Sequence, residues 1–173
     1  MPVTRTIYSG LDTNRNRHRS NDAMSDELIF PMGNYEVRVP CDRLYAKNHM
    51  WAMAAGEALR FGFSAYAVRL LQDVYFLDWH VDAGAALTEK QEIGEIESSK
   101  AESALYAPIE GTLTEFNAEL LTDPSAINVD CYGPGWLFAI TGSAAPLLTP
   151  QQYVDHLAEA WKVAERTIKG QIQ

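Results

Sequence analysis

Apolar positions divide the chain into several short β-type segments and one long helical segment at the C-terminal end. Tyr35-Glu36-Val37-Arg38-Val39 alternates and stops at Pro40, as an edge strand does. Ala58-Leu59-Arg60-Phe61-Gly62-Phe63 predicts another short strand. Ser64 then caps a brief helix, Ala65 to Leu71, with Tyr66, Leu70 and Ala67 on one face. Val74-Tyr75-Phe76-Leu77 is a β-favouring run read as buried, and residues 78–90 are turn-rich. Residues 92–96 and 104–109 predict a hairpin with a polar tip between them. Strands are also expected at 112–116 and 136–140, the second preceded by the turn Tyr132-Gly133-Pro134-Gly135. The period then changes. Thr149, Pro150 and Gln152 supply an N-cap, a first-turn proline and a capping-box glutamine. Tyr153, Leu157, Ala160, Trp161, Ala164 and Ile168 recur at helical spacing, which predicts one amphipathic helix packed on its own domain. The expected class is mainly β (α+β), with a short internal helix and a C-terminal amphipathic helix.

At 173 residues and 47% hydrophobic, the chain holds one ordinary core plus extra chain, and wholesale disorder is excluded. The extra chain is placed at residues 1–33, a flexible N-terminal extension, ahead of a domain at 34–170. The formal net charge is -9. The first 23 residues carry Arg5, Arg15, Arg17 and Arg19 against Asp12 and Asp22, so the acidic excess belongs to the rest of the chain. That balance argues against nucleic acid or an anionic membrane as the main partner. The most apolar stretch, 51–71, is broken by Glu57, Arg60 and Arg69, and neither a membrane span nor a secretory leader is expected.

Candidate chemistry is sparse. Cys41 and Cys131 match no metal or C-x-x-C spacing, and a reducing compartment is the simpler reading. His18, His49, His80 and His156 fall in no catalytic frame, so no catalytic or metal-ligating residue is assigned. Glu95, Glu97 and Glu102 crowd the hairpin tip, where solvation leaves little reason for shifted pKa values. Lys100 is the one lysine in that tip. Its spacing alone favours an ordinary solvated ammonium; the sharper alternative is an amine presented to a modifying enzyme for attachment of a swinging prosthetic group.

The segment Gly94-Glu-Ile-Glu-Ser-Ser-Lys100-Ala-Glu-Ser-Ala-Leu-Tyr-Ala-Pro108-Ile-Glu-Gly111 resembles the lipoyl-lysine hairpin of glycine cleavage system H proteins. Leu44-Tyr45-Ala-Lys-Asn-His49-Met-Trp51 is similar to that family's Y-x-x-x-H-E-W. Phe61–Ala67 with Leu71–Phe76 follows its G-I-T-x-Y-A and L-G-D-I-V-F, and residues 117–128 with Tyr132–Leu137 follow its N-x-x-L, P-x-L-I-N and Y-G-x-G-W-L. The matches are collinear over about residues 40–165.

The resemblance implies a barrel-sandwich hybrid of lipoyl type, with lipoate joined by an amide to Lys100. It implies a non-catalytic carrier, shuttling the aminomethyl group of glycine from a pyridoxal-phosphate decarboxylase to a tetrahydrofolate-dependent aminomethyltransferase. A dihydrolipoyl dehydrogenase and lipoyl-attaching enzymes complete the implied partners. A monomer in the cytoplasm, or in the mitochondrial matrix of a eukaryote, is expected. Four departures stand out: Met50 for the family's Glu, Ala104 for its Asp, Gln72 for its Gly, and Asp78-Trp79-His80 for an E-L-P-like stretch. In the family those two acidic positions line the cleft that shelters the loaded arm. An H-like lipoate carrier serving another system, such as sulfur oxidation or lipoyl relay, and an unlipoylated interaction module are the alternatives.

Overall fold

A computed structural model describes residues 26–170. Strands β1 (Glu27–Met32) and β2 (Tyr35–Pro40) form an antiparallel hairpin turning at Gly33, whose φ of 61° suits a residue without Cβ. Residues 27–32 therefore belong to a paired strand, whereas the sequence predicts a flexible extension there. Residues 1–25 of that extension lie outside the described residues. A division after residue 33 falls at the turn of this hairpin.

Next come β3 (Leu44–Tyr45), β4 (Met50–Ala55), β5 (Ala58–Phe63), α1 (Ala65–Leu71) and β6 (Val74–Trp79). They are followed by β7 (Ala86–Leu87), β8 (Glu92–Ser98), β9 (Glu102–Tyr106) and β10 (Gly111–Phe116). The last described elements are α2 (Glu119–Thr122), α3 (Ala126–Val129), β11 (Phe138–Thr141) and α4 (Pro150–Gly170). A six-stranded sheet runs β3-β4-β5-β11-β10-β7, and a three-stranded sheet runs β6-β8-β9. The fold is mostly β with helical additions, as expected.

Two apolar cores hold these pieces. One joins the larger sheets through Phe61, Leu113, Phe138 and Ile140 of one and Leu77, Ile93 and Ile96 of the other. The second packs Phe30, Met32, Val37 and Val39 of the β1–β2 hairpin against Tyr45, Tyr66, Tyr153 and Leu157. Each such side chain contributes about 1.5–3 kcal/mol by leaving water. The hairpin is thereby bound to α4, and the capping box forms as expected: Thr149 Oγ1 accepts from Gln152 N, and Gln152 Oε1 accepts from Thr149 N at 2.9 Å.

Two local expectations differ. Tyr66 and Ala67 of α1 are buried, but Leu70 is exposed because the last turn of this short helix runs past the core toward the β8–β9 tip. Tyr75 and Phe76 are also exposed. They sit on an edge strand, and a bulge between Val74 and Phe76 breaks the inward alternation. No described helix is long and apolar enough to cross a membrane.

Candidate functional site at the β8–β9 turn

Lys100 occupies the tip of the β8–β9 hairpin and is exposed. The paired strands run further than expected, to Ser98 and Glu102, so the turn is short. Ser98 N donates to Ala101 O at 2.9 Å across it, leaving Ser99 and Lys100 as the central residues. The Ser98 hydroxyl, itself buried, donates to Ala101 O at 3.0 Å and accepts from Ala101 N at 3.1 Å. The turn is thus closed by backbone and side chain together, which fixes where the Lys100 side chain begins.

A second set of contacts ties this turn to the rest of the domain. Ser99 N donates to Asp73 O at 2.8 Å, and Asp73 N donates to Ser99 Oγ at 3.2 Å. Asp73 is held in turn by Asn128 on α3. The Asn128 side chain accepts from Val74 N at 2.8 Å and donates to Gln72 O at 2.5 Å. A short connection between α1 and β6 is therefore clamped from one side by Asn128 and grips the lysine turn from the other. Sequence reasoning assigns Asn128 no role. Asn128 closes the stretch Pro124–Asn128 that resembles the family's P-x-L-I-N, but its bonds reach backbone 54 and 56 positions away, which spacing alone does not show.

Among the described residues no carboxylate lies within ion-pair distance of the Lys100 ammonium. The three glutamates of the tip face elsewhere. Glu97 pairs across the strands with Glu102, and Glu95 lies opposite Ala104 on one side and Asp78 on the other. Like charges placed directly opposite repel, so this sheet face is acidic by construction. Exposed Phe76 and Tyr106 stand on the same strands. Asp78, His80 and Glu95 each bring one possible ligand atom within 4.8 Å of the others. They are largely solvated, and the His80 ring already lies 3.6 Å from a Glu92 oxygen.

The two substituted acidic positions differ in burial and surroundings. Met50 is 2% exposed and belongs to the main core. Ala104 is half-buried and lines a shallow depression with Glu92, Glu95 and Glu102. Carboxylates surround the Ala104 position, whereas Met50 takes part in an apolar core.

The other resemblance-bearing residues are structural. Trp51 Nε1 donates to Cys131 O at 2.8 Å, and its ring lies where a Cβ on Gly62 would fall. Tyr132 OH donates to Arg38 O at 2.7 Å and accepts from Ala65 N at 2.9 Å, joining β2 to the start of α1. Arg43 stacks between Trp51 and Tyr132, 4.8 Å and 5.0 Å from their ring centres. Burial, helped by the neighbouring Asp130 charge, pushes the Cys131 thiol up to about 12, so it is not a thiolate near neutrality. His49 is kept neutral: burial first, then the neighbouring His156, lowers its pKa to about 4. An imidazole that stays neutral beside two tyrosines is a packing group here, with its ring 4.7 Å from that of Tyr66.

The model of the family "Glycine cleavage H-protein" matches residues 43–164. The glycine cleavage system H protein of Rubrobacter xylanophilus is 38% identical over 124 residues, covering 71% of this chain and 98% of that one. The corresponding protein of Beutenbergia cavernae is 39% identical over 118 residues, covering 68% and 94%. The crystal structure of a glycine cleavage system H protein from Mycobacterium marinum superposes with a TM-score of 0.61 at 32% identity, covering 69% of this chain and 99% of that one. The Lys100 hairpin and its Asn128 clamp both lie inside the matched segment. On these matches the chain belongs to the glycine cleavage H-protein family.

Proposed function

We propose that this chain is a lipoyl carrier of the glycine cleavage system, with lipoate joined through an amide to Lys100. The family is a carrier component and not a catalyst, and that much follows from membership. The observation that carries the assignment to Lys100 is the turn itself. An exposed lysine with no ion-pair partner among the described residues stands on a closed hairpin tip, and the tip is anchored to Asp73, whose neighbours Gln72 and Val74 are held by Asn128. A modifying enzyme needs an amine that protrudes and is presented in one direction, and these residues fit that need.

When bound, lipoate supplies a dithiolane that can take up and release a one-carbon unit and electrons, chemistry that Cys41 and Cys131 do not offer. The protein's residues present the attachment point. Ser98 and Ser99 fix the turn, and the Asp78, Glu95, Glu97 and Glu102 face offers a negative surface to basic rims of partner enzymes. In this reading the partners are the glycine decarboxylase, the aminomethyltransferase, the dihydrolipoyl dehydrogenase and the lipoyl-attaching enzymes, all in the cytoplasm or matrix.

Mass spectrometry of the native protein is expected to find a lipoyl group on Lys100 and none in Lys100→Arg. An unmodified Lys100 in cells with working lipoylation overturns the assignment. One observation favours a second reading, an H-like carrier for another system: the position lined by a carboxylate in the family is Met50, sealed in the core. Isotope-labelled glycine and a glycine decarboxylase decide between them. Label on the lipoylated chain supports glycine cleavage, and a lipoylated chain that takes none supports the second reading.

A further inference from the structure

Resting on the reading that Lys100 carries a lipoyl arm, we propose that the groove between the β1–β2 hairpin and α4 is a resting site for that arm in its uncharged state. The groove has a volume of about 540 Å³, and Lys100 is one of its lining residues. An arm attached there starts inside the groove, so its occupancy is an intramolecular event that needs little affinity.

The walls suit an aliphatic chain ending in sulfur. Met32 forms part of the buried hairpin, while Leu70 and Ile168 are apolar side chains left 38% and 46% exposed. Trp161 on α4 adds an indole edge, and sulfur packs well against aromatic rings and thioethers. Exposed apolar side chains meeting from three elements around one lysine are otherwise a cost in water.

The polar groups select the state of the arm. Arg69 stacks over Tyr35, 3.2 Å from its ring centre, so a guanidinium is held in the wall, and none of the described lining residues is acidic. A neutral dithiolane or dithiol is compatible with that wall. An arm bearing an ammonium group would face Arg69 without a carboxylate and is excluded. Gln72 supplies a carboxamide beside Lys100, and it does so at φ 61° and ψ −137°, a backbone conformation that favours glycine. A side chain retained in such a conformation, next to the position where an acylated lysine presents an amide, fits a hydrogen-bonding role toward that amide.

This groove shares no residue with the depression around Ala104, nor does Met50 line it. Its β1–β2 wall precedes residue 43, where the match to the family begins. That wall thus lies outside the matched segment, while Arg69, Leu70, Gln72, Lys100 and Trp161 lie inside it.

The test uses the full chain acylated by a lipoate ligase, with methyl-labelled methionines and nuclear magnetic resonance. On acylation the Met32 methyl and the Trp161 indole signals are expected to move while the Met53 methyl stays. Leu70→Glu and Ile168→Glu, both at exposed positions, are expected to cancel those shifts and to speed reduction of the arm by a water-soluble phosphine several-fold. Alkylating the reduced arm with bromoethylamine, which appends an ammonium, is expected to return both signals to their unacylated positions. Bromoethanol, which appends a neutral group of similar size, is expected to leave them shifted. If intact mass shows no lipoyl group on Lys100, the carrier reading fails and this proposal with it. If the group is present and Met32 and Trp161 do not respond, or respond alike to both alkylating agents, the proposal alone is overturned.

Discussion

The Tyr153 hydroxyl stands 2.7 Å from Ser64 Oγ, so a residue in the first turn of α4 meets the N-cap of α1. Both are fully buried, and the same hydroxyl lies 3.1 Å from His49 Nδ1. Tyr153→Phe keeps the ring, stacked on Tyr45 at 4.4 Å, and removes only the hydroxyl. Ser64 keeps its bond to Ala67 N but loses its other partner. A loss of about 1–3 kcal/mol is expected in urea unfolding, the cost of leaving buried polar atoms unpaired. An unchanged midpoint would mean the hydroxyl contributes nothing.

His49 links that cluster to pH. Its pKa falls from 6.5 unfolded to about 4 folded, through burial and the neighbouring His156, with Tyr66 and Tyr153 as its other ring neighbours. The folded state therefore binds fewer protons than the unfolded state between those values, and stability rises with pH across that window. Stability from this group is complete above the unfolded value and is lost as pH falls toward about 4. His49→Asn, chosen because asparagine tolerates the positive φ of 68° found there, is expected to flatten the slope between pH 6.5 and 4 by up to one proton. Thermal midpoints of the two proteins across that range provide the measurement.

Asn128→Ala removes the clamp on Gln72 and Val74 while leaving Lys100 chemically untouched. We expect about 1–3 kcal/mol lower stability, from the unpaired Val74 amide, together with slower lipoylation of Lys100 by a lipoate ligase. Asn128→Asp restores the acceptor for Val74 N but not the donor to Gln72 O, and a partial recovery is expected. Equal lipoylation rates in all three proteins would show that the turn needs no support from α3.

Gly94→Ala probes the base of the same hairpin. A Cβ there would lie 2.4 Å from Asp78 O and 2.9 Å from Trp79 Cε3, so backbone atoms of β6 would have to move away from β8. A loss of more than about 2 kcal/mol is expected, of the size of overpacking in a core. Gly84→Ala, where a Cβ would meet nothing within 4 Å, serves as the uncrowded comparison, though its φ of 92° carries a strain of its own.

Local chemistry makes several of these elements legible in the sequence. Ser64 and Thr149 cap their helices because a hydroxyl ahead of an apolar period satisfies free amides, and that rule needs no tertiary context. The lysine turn is visible because polar residues interrupt two β-type runs. Other elements depend on distant partners. The β1 run Glu27-Leu-Ile-Phe-Pro-Met32 carries a proline and weak alternation, and becomes a strand because β2 and α4 cover it. Tyr75 and Phe76 read as buried from composition alone, but a bulge on an edge strand turns them outward. Met50 reads as a cleft residue by analogy of position, whereas its own apolar side chain is drawn into the core.

The β1–β2 hairpin sets a practical boundary that family membership does not mark. Its Phe30, Met32, Val37 and Val39 share a core with Tyr153 and Leu157, yet it precedes the matched residues 43–164. Trimming the chain to those residues would strip cover from Tyr45, Tyr66 and Tyr153 and shorten α4, leaving a sticky aromatic face. The segment matched to the family and the segment that shares this aromatic core are different lengths of the same polypeptide.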